Sequence, residues 1–105
     1  PVVGPVVLVG SGGVLVELMQ DSVAALAPVS IAEAKAMLAR LKGYRLLTGF
    51  RGGAAVNVDA LADAIARVSE LAADLAGDIE ELDVNPLRCG PQRVAAVDAL
   101  ITRRI

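Results

Sequence analysis

The chain has 105 residues, enough for one domain or part of one, and its net charge of −2 argues against nucleic-acid and anionic-membrane partners. It is 55% hydrophobic but only 2% aromatic, so its core must come from Ala, Val, Leu and Ile. There is one cysteine, Cys89, and no histidine. An internal disulfide and a Cys–His nucleophile are therefore excluded, and a lone thiol fits a reducing, cytoplasmic setting. No apolar run reaches the roughly 20 residues needed to cross a bilayer, and no signal peptide is recognisable. Because it opens on Pro1 and runs straight into valines, the chain reads as one partial domain, residues 1–105, cut from a longer polypeptide.

Pro5 to Val9 is a continuously apolar, valine-rich run that predicts a buried strand. Gly10-Ser11-Gly12-Gly13 interrupts it, Val14 to Met19 resumes as a second strand with Glu17 its single charge, and Val23 to Ala27 is a third, ended by Pro28. Short connections favour antiparallel pairing. Ser30 and Glu33 form a capping box that starts a helix. Ile31, Ala34, Leu38 and Leu41 recur at core-facing spacing, and Gly43 supplies a stop. Tyr44 to Leu47 is too short to assign, and 48–53 is a glycine-rich loop carrying Arg51. Asn57 caps a long helix, with Asp59 in the first turn where the helix dipole favours an anion. Its buried stripe is predicted at Val58, Leu61, Ile65, Val68, Ala72 and Leu75. Asp63, Arg67, Glu70 and Asp74 form the solvated face, and Gly77 marks the end.

The most informative stretch follows, Glu80-Glu81-Leu82-Asp83-Val84-Asn85-Pro86-Leu87. In an extended strand Glu81, Asp83 and Asn85 share one face, while Leu82 and Val84 point the other way and can seal a core. Pro86 cannot donate to a ladder and ends the pairing. After a turn at 88–92, Val94 to Ala99 returns as a strand that is apolar apart from Asp98. Paired as a hairpin, the two strands bring Asp98 beside Asp83 and Asn85. Carboxylate and amide oxygens converging on one spot suit a hard divalent cation such as Mg2+. A solvated sheet face is the plain alternative, but Asn85 followed by Pro86 is a poor choice for a strand on solubility grounds alone. The tail 102–105 is expected to fray. Three strands, two helices and two strands predict an α+β two-layer sandwich, a mainly antiparallel sheet packed by two helices.

Gly10 to Asp21 (GSGGVLVELMQD), Ala27-Pro28-Val29-Ser30, Leu46 to Gly52 (LLTGFRG), Glu81 to Leu87 (ELDVNPL) and Val97-Asp98 occur in this order and spacing. Taken together they resemble the C-terminal part of the ATP-grasp domain in NDP-forming acyl-CoA synthetases, relatives of the succinyl-CoA synthetase β subunit. The resemblance implies a reversible ligase that joins an acid to CoA at the expense of ATP or GTP. It implies that Asp83, Asn85 and Asp98 hold the Mg2+ of the nucleotide, and that Gly12, Gly13, Glu17 and Arg51 lie beside the nucleotide. On the residues alone, the Gly12-Gly13 loop is equally a hairpin turn, and Arg51 equally ties a loop to an acidic neighbour. The lobe that grips the base, and the CoA-binding domains or subunit, are expected upstream or in a partner, with oligomers possible. Since the family passes phosphate through a histidine that this chain lacks, the isolated stretch is expected to be inactive. Two alternatives stay open: a regulatory ATP-grasp module fused to an acyltransferase, and a subunit-interface module.

Overall fold

A computed structural model of the chain describes residues 5–10, 21–49, 55–84, 87–96 and 99–103. The element order is β1 (Val6–Gly10), β2 (Ser22–Leu26), α1 (Ile31–Ala39), α2 (Tyr44–Leu47), α3 (Val58–Asp74), β3 (Ile79–Val84), β4 (Leu87–Cys89), β5 (Val94–Ala96) and β6 (Ala99–Arg103). The α+β class and the antiparallel pairing are as the sequence predicts. The strand predicted over Val14–Met19 and the end of the loop that carries Arg51 lie outside the described residues.

Among the described residues the strands form three two-stranded antiparallel ribbons rather than one continuous sheet: β1 with β2, β3 with β6, and β4 with β5. In the first, Val6 lies opposite Leu26 and Gly10 opposite Ser22. Its inner side chains, Val7, Val9, Val23 and Ala25, pack on the buried cluster. That cluster joins Val23 and Val29 to Ala34, Met37, Leu38 and Leu41 from the α1 region and to Leu61, Ala62 and Ile65 of α3. The two longer helices, α1 and α3, begin where the sequence predicts, and Tyr44–Leu47, which the sequence left unassigned, is a short helix. Ser30 and Glu33 exchange both capping-box hydrogen bonds, and the Asn57 side chain accepts from the Ala60 N–H at 3.0 Å.

The helix ends and the buried faces differ from expectation. Helix α1 stops at Ala39 with Arg40 as its C-cap, and Gly43 instead precedes α2 as its N-cap. The positive φ of 91° falls at Gly49, just beyond α2, where a left-handed residue closes a helix and glycine is the residue that adopts it without strain. Helix α3 ends at Asp74 with Leu75 as C-cap, before Gly77. Ile31, expected on the core face, is 45% exposed, and Met37 is buried beside Ala34 and Leu38. On α3 the buried set is Leu61, Ala62, Ile65, Ala66 and Ser69, whereas Val68, Ala72 and Leu75 are half-buried. Leu61 and Ile65 of the predicted stripe are buried as expected, and from there the buried face turns toward the small residues Ala62, Ala66 and Ser69.

Among the described residues two polar side chains are buried in this apolar setting, Asp21 and Ser69, and each is tied to backbone. The Ser69 hydroxyl donates to the Ala66 carbonyl at 2.7 Å and accepts from the Val29 N–H at 2.9 Å. The Asp21 carboxylate accepts from the N–H groups of Lys42 and Gly43, at 2.5 and 2.9 Å. It thereby fastens the start of β2 to the turn between α1 and α2. A buried donor left without its partner costs roughly 1–3 kcal/mol. Asp21→Ala should therefore lower unfolding stability by about 2 kcal/mol, measured by urea denaturation, and Ser69→Ala should cost less because it frees one N–H rather than two.

Candidate functional site

The strongest chemical candidate in the sequence is the terminal hairpin, and its register is simple. Asp83 lies opposite Leu100 and Val84 opposite Ala99 in the β3–β6 ladder. Leu87 lies opposite Ala96 and Cys89 opposite Val94 in the β4–β5 ladder. Two residues separate the ladders on each strand, 85–86 on one and 97–98 on the other. Both ladders therefore belong to one hairpin with one register, broken only near its far end, where pairing shifts between Ile79 and Glu81.

This corrects the predicted strand limits. Pairing does not end at Pro86, since Leu87–Cys89 continues it. The turn is narrower than 88–92, closing where the Gly90 N–H donates to the Arg93 carbonyl at 3.0 Å. The returning strand extends beyond Ala99, and Thr102 and Arg103 do not fray but pair with Glu81 and Ile79. Thr102 and Arg103 are held because β3 offers them backbone partners.

Within β3 the expected alternation holds: Glu81 and Asp83 are exposed, while Leu82 and Val84 are half-buried. The contacts that tie the hairpin to the buried cluster come from Leu87, Cys89 and Val94 rather than from Leu82 and Val84. Residues directly opposite each other on an antiparallel pair share a face. Asp83 therefore shares its face with Leu100, which is 59% exposed. Of the proposed metal-ligating set, Asp83 is described on β3, and Asn85 and Asp98 lie outside the described residues, as do Gly12, Gly13, Glu17 and Arg51. Among the described residues no three acidic or thiol side chains come together as a metal site.

Asn57 has a role its capping signal did not reveal. Its N–H donates to the Gly90 carbonyl at 2.8 Å, and its side-chain amide donates to the Gln92 carbonyl at 3.0 Å. One residue thus starts α3 and clamps the hairpin tip against it. The capping position was legible; the long-range clamp needs the fold. An open concavity of about 570 Å³ lies at this tip, lined by Arg88, Cys89, Gly90, Gln92, Arg93 and Ala95 among others. It belongs to the tip and not to the Asp83 end of the hairpin.

Burial raises the Cys89 thiol above its ordinary value. The folded chain thus keeps this proton to higher pH than the unfolded chain does. The sign follows directly: stability is unaffected by this group below the ordinary thiol range and declines as pH rises toward the raised folded value. The thiolate is also the reactive form, so Cys89 should be a slow nucleophile. Alkylation by iodoacetamide at pH 8 should run at least about tenfold slower at Cys89 than at a cysteine placed on the exposed face of α3 by Glu70→Cys. Quantitative mass spectrometry of the two peptides measures the ratio.

The architecture defines an α+β domain whose last hairpin, anchored to a capped helix, presents acidic residues on an exposed face. Residues 1–102 match the ATP-grasp domain family. The β subunit of an ADP-forming acetate–CoA ligase I from Pyrococcus furiosus is 41% identical over 99 residues, which is 94% of this chain and 42% of that protein. A 4-hydroxybutyrate–CoA ligase (ADP-forming) from Nitrosopumilus maritimus is 41% identical over 87 residues, 83% of this chain and 12% of the relative. Among solved structures, an acetyl-coenzyme A synthetase 1 from Ca. Korarchaeum cryptofilum, in complex with coenzyme A and Mg-AMPPCP, superposes with a TM-score of 0.90 at 40% identity, over 99% of this chain and 48% of that one. The chain belongs to the ATP-grasp domain family, and its relatives are ADP-forming acyl-CoA ligases. It spans less than half the length of these relatives. Among the described residues no helix is long and apolar enough to cross a membrane.

Proposed function

We propose that this chain is the Mg2+- and nucleotide-holding portion of an NDP-forming acyl-CoA synthetase. The complete enzyme interconverts acid, CoA and nucleoside triphosphate with acyl-CoA, nucleoside diphosphate and phosphate. The chain is similar to ligases of this reaction class and to a synthetase whose structure contains coenzyme A and Mg-AMPPCP. The nucleotide here is ATP or GTP, and the acyl substrate is chosen elsewhere in the enzyme.

The observation that carries the metal assignment is the shared register of the two terminal ladders. Val84 faces Ala99 before the interval and Leu87 faces Ala96 after it. With two residues on each side of the interval, an unbroken ladder would set Asn85 opposite Asp98. Asp83, two residues before Asn85 and exposed, would add a second carboxylate to the same face. Two carboxylates and an amide oxygen make a hard, anionic donor set that fits Mg2+, which keeps several waters and takes one or two carboxylates beside phosphate oxygens. When bound, Mg2+ neutralises charge on the phosphates and holds them for transfer.

The chain's own residues then have defined tasks. Asn85 and Asp98 would hold the cation, directly or through water, and Asp83 would add a carboxylate beside them. Gly12 and Gly13 let backbone N–H groups approach phosphate oxygens without side-chain interference. Glu17 and Arg51 complete the nucleotide side, the guanidinium suiting a phosphate. With no histidine in the chain, a phosphohistidine relay must draw its histidine from another segment or subunit. The Korarchaeum relative has such a phosphohistidine segment, pointing towards its nucleotide-binding site.

Asn85→Ala and Asp98→Ala, made in the full-length enzyme, should each raise the Mg2+ concentration needed for half-maximal turnover by about 10- to 100-fold. Two ligands on one cation act as a unit, so the double variant should be little worse than the poorer single one. Thermal melts should stay near that of the parent, because both residues are predicted on the polar face. Unchanged Mg2+ dependence in folded variants would remove the metal assignment.

A further inference from the structure

The tip of the terminal hairpin has two unlike faces. Leu87, Cys89 and Val94 pack on the buried cluster. Arg88 lies opposite Ala95, and Arg93 stands two residues before Ala95 on the same strand. The two arginines therefore share the other face as diagonal neighbours, roughly 7–8 Å apart and within reach of each other's long side chains. Both are exposed, and both line the open concavity together with Gly90, Gln92 and Ala95. None of the described residues that line it is acidic. Among the described residues the ion pairs are Lys35–Asp59 and Arg67–Asp63, so neither guanidinium is matched by a carboxylate. Residues 87–96 thus hold two positive charges and no negative one, in a chain whose net charge is −2. The oxygen atoms of the turn are already in use. The Gly90 and Gln92 carbonyls accept from Asn57, and the Arg93 carbonyl accepts from the Gly90 N–H. The concavity therefore presents hydrogen-bond donors, on a turn that Asn57 holds in place.

We propose that Arg88 and Arg93 bind the terminal phosphoryl group of a small molecule at this tip. The inference rests on the geometry of the tip and not on the metal assignment. Two forked guanidiniums that reach one anion from different strands select its shape. A carboxylate has two oxygens in one plane, and a single bidentate fork satisfies it. A terminal phosphoryl group has three oxygens spread over a tetrahedral face, and it accepts both forks. The concavity, about 570 Å³, lies within the roughly 300–1,000 Å³ typical of small-molecule sites. It has room for more than the phosphoryl group itself. None of the described residues that line it is aromatic, so no ring is on hand to stack a nucleobase. The ligand class that fits is free phosphate or a phosphate monoester, recognised by its phosphoryl end.

The test is arginine modification by phenylglyoxal in the full-length enzyme, without Mg2+ or nucleotide, followed by peptide mass. Arg103, exposed at the other end of the same hairpin, is the control. About 10 mM inorganic phosphate, tenfold above a millimolar dissociation constant, should slow Arg88 and Arg93 about tenfold and leave Arg103 unchanged. Glycerol phosphate that protects at lower concentration would identify a monoester as the ligand, and equal or weaker protection would identify free phosphate. Phosphate should no longer protect Arg88 in the Arg93→Ala enzyme, nor Arg93 in the Arg88→Ala enzyme. Should one of these variants disturb folding, the other decides. Asn85→Ala should leave the protection of both arginines unchanged, which separates this site from the metal site. Equal rates with and without phosphate would overturn the proposal, as would protection of one arginine alone or equal protection by succinate. Arginines that fail to react even before phosphate is added would overturn it too, by showing that another part of the enzyme covers the tip.

Discussion

The close contact between α1 and α3 is the constraint on which the rest of the structure depends. With almost no aromatic mass available, the core gains burial by proximity. Ala34 and Ala62 are fully buried, and Leu38 is 1% exposed between them and their neighbours. Leu→Ala changes in such positions typically cost roughly 2–5 kcal/mol, a large share of the stability of a domain this size. Close approach leaves no room for an unsatisfied polar group, so Ser69 is fully buried and spans the gap to the Val29 backbone. That bond fixes the segment between β2 and α1 on the side of α3, and β1 follows through its pairing with β2.

From this helical pair the terminal hairpin takes its position. Asn57 links the two, accepting from the N–H groups of Ala60 and Leu61 in its own helix and donating twice to the hairpin tip. Leu87, Cys89 and Val94 then pack on the buried cluster. The tip end of the hairpin is anchored, while β3 and β6 pair chiefly with each other. The acidic face is thus held by backbone register more than by side-chain packing. Such an arrangement suits a site that must present oxygen atoms outward to a ligand gripped from another direction.

Much of this could be read from the residues. Ser30 with Glu33, and Asn57 with Asp59, announce helix starts through local hydrogen bonding, which is a property of a few adjacent residues. The alternation Glu81-Leu82-Asp83-Val84 announces a strand with one wet face. Helix ends were less legible, because Gly43 and Gly77 are both plausible stops but Arg40 and Leu75 end the helices through tertiary geometry. Ile31 was assigned to the core face and Met37 was not, because spacing fixes a face only to within a residue, and neighbouring Ala positions decide which side packs. Asp21, within the polar Gln20-Asp21-Ser22 turn, and Ser69, beside Glu70, gave no signal of burial, since their long-range partners lie 21 to 40 residues away. Of the row Asp83, Asn85 and Asp98, expected from the residue types, Asp83 alone is among the described residues. The row's geometry depends on a register that turn position and core packing set together.

We propose that one hairpin register brings Asp83, Asn85 and Asp98 to a single divalent cation beside the nucleotide. Paramagnetic broadening by Mn2+ in the nucleotide-loaded, full-length enzyme tests it most directly, because broadening falls steeply with distance and needs no mutation. The account predicts that amide signals of Val84, Leu87, Ala96 and Ala99 are lost first. Those of Ser69 and Ala66, inside α3, should persist at equal Mn2+ occupancy. Persistence of the four hairpin signals, with broadening centred on other elements, would contradict it.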